Sequence, residues 1–218
     1  MPRASAADAA RTAQQILDIA EELFSLRGFS DVSLSDVAQT AGVTRGAVYH
    51  HFRNKVGVFQ AVAAKLQARI AIAVVEAADS AGSDPGAQLV AGSHAFIDAI
   101  TAGPAVRILL VDAPSVLGWE EWRRLDDVNS VRHLREALRE VGLDEDLLEA
   151  VAAQLSGAMN EAALWIAQHS NADKAREHSH AALDRLLAAV TPATTVSSGD
   201  ETGTSPTAEQ RSTSSRRP

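Results

Sequence analysis

The sequence predicts an all-α protein built from a small front unit of three helices, a long connecting helix and a larger helical region behind it. Three observations carry this. Apolar residues recur at three- and four-residue spacing from about residue 11 to residue 190. Alanine is abundant and aromatics are only 4% of the chain, a mix that suits helices packed closely through small side chains. Gly, Pro and Asn punctuate the runs, and no alternating stretch bounded by hairpin turns appears. At 218 residues and 46% hydrophobic, the chain can bury a substantial core.

The elements follow in order. Ala13, Ile16, Leu17, Ala20, Leu23 and Phe24 form one face of a helix over 11–27, and Gly28 sits where a left-handed cap belongs. Ser33 opens "SLSD", a capping-box start, with Asp36 at the positive end of the second helix. Gly42 ends it. Thr44 is an N-cap for a third helix to about His51, with Val48 and Phe52 facing inward. Asn54 caps a fourth helix from Lys55 to about Ala78, roughly 35 Å long. After the break "SAGSDPG", further helices are expected over 86–102, 104–113, 118–141, 144–169 and 172–190. From Thr191 the chain turns to Ser, Thr, Pro and Gly and is expected to be disordered. The expected organisation is 1–54, a front domain with an N-terminal arm; 55–80, the connecting helix; 81–190, the second helical domain; and 191–218, the tail.

Composition bounds the function. There is no cysteine, hence no disulfide framework or thiolate metal site. The N-terminal stretch has no apolar h-region, and no run is read as approaching the roughly 20 apolar residues of a membrane span. A cytoplasmic protein without a membrane partner is expected. The net charge is -8, yet residues 1–69 carry eight Lys/Arg against six Asp/Glu. No acid lies between Asp36 and Glu76, a gap that holds Arg45, Arg53, Lys55, Lys65 and Arg69. A local basic surface on an acidic chain points to a polyanion partner for that segment.

The stretch "AGVTRGAVYHHFRNK", Ala41 to Lys55, supplies the candidate contacts. Two short helices joined by an Ala-Gly-Val turn make a helix-turn-helix, whose second helix enters the DNA major groove by its N-terminal end. Arg45 in the first turn can reach a guanine edge or a phosphate. Gly46 and Ala47 are small and allow close approach. Tyr49 offers a ring and a hydroxyl donor, and His50 lies outward. Lys55 opens the next helix, where a cation and free N–H groups favour a phosphate. Ser33 and Thr44 are caps whose hydroxyls can meet the backbone. His51 is read as packing. Each residue also has a plain alternative: Tyr49 as cover for the core edge, Arg53 as a solvated cation.

The segment "ILDIAEELFSLRGFSDVSLSDVAQTAGVTRGAVYHHFRNKVGVF", Ile16 to Phe59, resembles the TetR family of transcriptional regulators. The match lies in the order of "F…RGF", "DVAQTAGVT" and "GAVYHHFRNK". The resemblance implies a homodimer with a three-helix DNA-binding domain and a helical domain that binds a small effector and forms the dimer. It carries DNA contacts onto Thr44, Arg45, Gly46, Ala47, Tyr49, His50 and Lys55. The family often has Thr where this chain has Val32, so Ser33 or Ser35 would have to supply any hydroxyl contact there.

Beyond residue 80 the residues speak less clearly. Trp119, Trp122 and Trp165, joined by Phe96, Leu110, Leu117 and Met159, suit an apolar ligand, with His94, Asp98, Arg107 or Asn160 as polar handles. Core packing accounts for the same residues. Small residues such as Ala153 and Gly157 on one helix, and Leu183, Leu186 and Leu187 on the next, suit a four-helix dimer interface, though packing within one subunit explains them too. His178 and His180 are two apart on a helix, a poor metal pair, and are read as solvated surface. No catalytic constellation stands out, and no cofactor or metal is expected. The leading expectation is a repressor released from a palindromic operator on double-stranded DNA by an unknown small-molecule effector. A regulator without effector, and a helical ligand carrier or enzyme whose front motif is only structural, stay open.

Overall fold

The computed structural model describes residues 6–191. The expected disordered tail, apart from Thr191, lies outside the described residues. Among those residues all regular structure is helical: α1 (Ala6–Arg27), α2 (Leu34–Thr40), α3 (Arg45–Phe52), α4 (Lys55–Ser80) and α5 (Pro85–Thr101). There follow a wide π-type segment π1 (Val106–Asp112), α6 (Ala113–Leu117), α7 (Trp119–Asp126), a second wide segment π2 (Asp127–Val131), α8 (Arg132–Glu140), α9 (Glu145–Gln168) and α10 (Ala172–Val190).

The front helices start where their caps dictate. Ser33 Oγ accepts from the Asp36 N–H at 3.1 Å while Asp36 Oδ2 accepts from the Ser33 N–H at 2.8 Å, a complete capping box. Thr44 Oγ1 accepts from the Ala47 N–H, and Asn54 Oδ1 from the Gly57 N–H. α1 begins at Ala6, earlier than the periodicity suggests, because its leading alanines favour helix and Asp8 lies in the first turn. Ile16, Ala20, Phe24, Val37, Val48, Val58 and Phe59 are all buried in the front core. Phe59 lies edge-on to both Phe24 and Phe29, with centroids 5.3 and 5.2 Å away.

Two expectations change. Pro114 does not break its helix: π1 runs directly into α6, and the widened turn ahead of Pro114 accommodates a residue without an N–H. α4 is long and apolar enough to cross a membrane by length and composition, with mean hydropathy 1.5, contrary to the reading that no run approached this. It carries Lys65 and Arg69, and it buries Val58, Phe59, Val62, Ala63, Leu66 and Ile70 in the protein core.

The front unit is tied to the rest through α1 and α4. The Phe29 N–H donates to Asp112 Oδ2 at 3.0 Å, and Gln60 Nε2 donates to Glu121 Oε1 at 2.7 Å. Gly28 adopts φ +78°, and a Cβ there would collide with the Arg107 guanidinium. Behind, α4, α5, π2, α8 and α9 surround a cavity, and α10 packs on α5 and α9.

Candidate nucleic-acid interface and cavity

α3 presents its N-terminal half to solvent and its Val48 to the core. Arg45 Nη2 donates to Tyr49 Oη at 3.2 Å, and the guanidinium carbon lies 5.4 Å from the ring centre, so the two side chains support each other. Tyr49 is 43% exposed. Its hydroxyl accepts from Arg45 and keeps its proton for another acceptor. Lys55 Nζ donates to the Ser30 carbonyl at 3.3 Å and sits 4.2 Å over the Phe29 ring. Ser33, Arg45, Tyr49, Asn54 and Lys55 line one concave groove. The cap Thr44 and, on α3, Gly46, Ala47 and His50 lie outside that groove, all but the half-buried Ala47 being exposed. His51 is half-buried between His50 and Phe52, as its packing role requires.

The electrostatics differ from the linear pattern. The stretch from residue 37 to 75 lacks acids in sequence but not in space. Lys65 Nζ meets Asp18 Oδ1 at 2.6 Å and Glu21 Oε2 at 2.7 Å, and Arg69 meets Glu21 Oε1 at 3.0 Å. The Lys65 hydrogen bond holds the Asp18 carboxyl below its ordinary range. These two cations are therefore neutralised on the α1–α4 face, and Arg45, Arg53 and Lys55 remain for an outside polyanion. Asp31 and Asp36 share the groove. Asp36 is committed inward: the Ser33 N–H and hydroxyl lower its pKa, and Arg27 Nη2 lies 3.6 Å away. Val32 is 1% exposed and packs in the core beneath the groove, with no hydroxyl to offer there.

Glycines separate by what they permit. A Cβ on Gly46 would touch only Thr44 Oγ1, at 3.8 Å, an ordinary contact. A Cβ on Gly57 would overlap the Phe52 carbonyl oxygen. Gly57 was not singled out from the sequence. The signal was available only as a glycine three residues after an Asn cap.

The cavity lies among α4, α5, π2, α8 and α9 and measures about 390 Å³. Its walls include Val74, Leu89, Phe96, Leu134 and Met159, its depth the buried Ser93, Ser130 and Ser156, and its mouth Asp79, Glu136 and Glu140. Of the residues expected at a pocket, it collects only Phe96 and Met159. Trp122 is a core residue whose Nε1 donates to the Leu109 carbonyl at 2.7 Å. Trp119 is 65% exposed and stacks obliquely on Trp122. Leu110 and Leu117 pack against the core, Asn160 is buried on α9, and Arg107 lies against Gly28. His94 and Asp98 face α10 instead: His94 Nε2 is hydrogen-bonded to Asp184 Oδ1 at 2.6 Å, and its ring stacks on His180 at 4.1 Å. His180 is thus half-buried rather than solvated, and lies 3.1 Å from Asp98 Oδ1 without the alignment of a hydrogen bond. Periodicity could not reveal this pair, which spans two helices far apart in sequence.

On the α9–α10 side, Leu183 and Leu187 are buried within the subunit, while Ala153, Gly157 and Leu186 are exposed. A shallow apolar groove there is lined by Ala158, Ala162, Trp165, Ala182 and Leu186, with Leu186 47% exposed. Trp165, expected at the pocket, belongs to this face.

The fold and groove define a helix-turn-helix protein with an appended helical domain. Residues 16–62 match the profile of bacterial regulatory proteins of the tetR family, and residues 87–190 match that of the tetracyclin repressor-like C-terminal domain. The chain belongs to the TetR family. It is 52% identical over 67 residues to the HTH-type transcriptional regulator SrpR of Pseudomonas putida, covering 31% of this chain and 32% of SrpR. It is 45% identical over 60 residues to the HTH-type transcriptional repressor BepR of Brucella suis, covering 28% of this chain and 29% of BepR. These alignments thus span about a third of those relatives. Over most of its length it resembles the crystal structure of a TetR-family transcriptional regulator from Pectobacterium atrosepticum, with TM-score 0.68, 29% identity, and coverage of 86% of this chain and 98% of that one. The fatty acid degradation regulator FadR of Bacillus halodurans shares the fold, with TM-score 0.67 at 17% identity over 78% of this chain and 93% of that one.

Proposed function

We propose that this protein is a sequence-specific DNA-binding transcriptional regulator, a homodimeric repressor that a small-molecule effector releases from a palindromic operator. The observation that carries the reading is the groove in which Ser33, Arg45, Tyr49 and Lys55 converge beside the exposed N-terminus of α3. Arg45 would read a base edge; Lys55, Tyr49 and the cap hydroxyls of Ser33 and Thr44 would hold phosphates. Thr44 uses its oxygen as an acceptor within the fold and retains its proton to donate, whereas the Ser33 hydroxyl would have to turn its proton from the Asp36 carboxylate to a phosphate.

Pairing would use the exposed face of α9 and α10 around Trp165 and Leu186, setting two α3 helices about 34–36 Å apart on DNA. Release would run through α4. Lys55 at one end lines the groove, and Val74, Val75, Ala78 and Asp79 near the other end line the cavity. A ligand that prefers the arrangement unfit for DNA lowers operator affinity, and DNA lowers ligand affinity by the same factor.

The test uses an operator selected from random duplexes and gel shifts at several salt concentrations. Arg45→Ala is expected to cost about 1–3 kcal/mol on operator and little on scrambled DNA. Lys55→Ala should weaken both alike and reduce the salt slope by about one. Unchanged binding by both variants refutes the assigned interface.

A further inference from the structure

Resting on the reading of the α4–α5–α8–α9 cavity as the effector site, we propose that its ligand is a lipophilic cation: an apolar body carrying one positive charge. The walls are apolar, and no Lys or Arg lines the cavity. Three carboxylates, Asp79, Glu136 and Glu140, line its solvent end, with His133 the one basic side chain in the lining. Glu136 is partly balanced, with His133 Nδ1 at 3.3 Å and Arg132 Nε at 3.8 Å. Asp79 and Glu140 have no ion-pair partner among the described residues.

Their position deepens the imbalance. Asp79 lies in the last turn of α4, which contains no basic residue, and Glu140 is the last residue of α8. Both acids therefore sit at helix ends where the backbone dipole already favours cations. The neighbouring Arg139 is occupied by Glu145 at 2.9 Å. Three acids at one mouth, two of them at the wrong helix ends, break a local rule that folding stability alone would correct, and such departures concentrate where a ligand compensates them. Two of the three floor hydroxyls also disfavour anions. Ser156 Oγ donates to Asp126 Oδ2 at 3.3 Å and Ser130 Oγ to Gln67 Oε1 at 3.5 Å, so both present acceptor oxygens to the cavity. A volume of about 390 Å³ falls in the range of about 300–1,000 Å³ common for small-molecule sites.

Tetraphenylphosphonium and tetraphenylborate have the same shape and opposite charge, and they test the inference by calorimetric titration of the full chain. The cation should bind at least about tenfold more tightly than the anion at low salt, with the difference shrinking as salt rises. Asp79→Asn with Glu140→Gln should weaken the cation about tenfold or more while leaving Tm unchanged or higher, since the acids oppose their helix dipoles. Ala137→Phe, which fills the cavity from α8, should abolish binding. Equal or tighter binding of the anion, no binding of the cation, or full cation affinity in either variant overturns the assignment. Operator gel shifts on the same samples keep the two readings apart. Cation binding that leaves operator affinity unchanged refutes effector release but not the ligand chemistry.

Discussion

Replacing Gly46 by Ala separates a glycine kept for the fold from one kept for a partner. Gly46 is the second residue of α3, and a Cβ there would meet only Thr44 Oγ1 at 3.8 Å. Nothing inside the protein needs the space. A helical Gly costs roughly 0.5–1 kcal/mol relative to Ala. The Ala variant should therefore be more stable, by about 1–4 °C in Tm for a chain of this size. If α3 enters the major groove by this end, the same methyl is pushed toward the base pairs, and operator affinity should fall about tenfold or more. Gly57→Ala is the internal control with the opposite sign. Its Cβ would overlap the Phe52 carbonyl, which already accepts the Asn54 N–H at 2.7 Å, and overpacking of this kind costs about 1–3 kcal/mol. Thermal unfolding and operator titration on both variants provide the measurements. A Gly46→Ala protein that gains stability and keeps full operator affinity refutes the placement of this end of α3 against DNA. A Gly57→Ala protein as stable as the parent refutes the packing argument.

Two further outcomes are expected. Burial and the stacked His94 lower the pKa of His180 from 6.5, opposed by Asp98 and Asp184 and assisted by Arg176. The unfolded chain then takes up its proton first, so the stability due to neutral His180 is present above pH 6.5 and is lost as pH falls from 6.5 toward the lower folded value. Denaturation midpoints from pH 7.5 to 5 should drop more steeply for the parent than for His180→Gln, and parallel curves would refute the coupling. If the chain pairs through the α9–α10 face as proposed, Leu186→Glu should sediment as a monomer where the parent sediments as a dimer, with the melting of each subunit nearly unchanged because Leu186 is 47% exposed; a variant that stays dimeric places the interface elsewhere.

What could be read directly from the chain was whatever is settled within about four residues. The Ser33 box, the Thr44 and Asn54 caps and the left-handed Gly28 are local hydrogen-bond and torsional choices, and all four form as expected. Val48 and Phe59 bury themselves because helical periodicity decides which face is apolar. Charge and aromatic chemistry were not decided there. Lys65 and Arg69 look like free cations in sequence, yet Asp18 and Glu21, more than forty positions away, neutralise them once α1 crosses α4. The tryptophans are consistent with a pocket or a core at the level of composition. Only packing assigns Trp122 to the core, Trp165 to the α9–α10 face and Trp119 to the surface, because each outcome depends on which helix arrives opposite. The carboxylate-rimmed cavity has the same origin. Glu136 and Glu140 share a face of α8 by their i, i+4 spacing, but Asp79 belongs to α4 and joins them at one mouth only in three dimensions, so no spacing within either helix announces the charge all three create together.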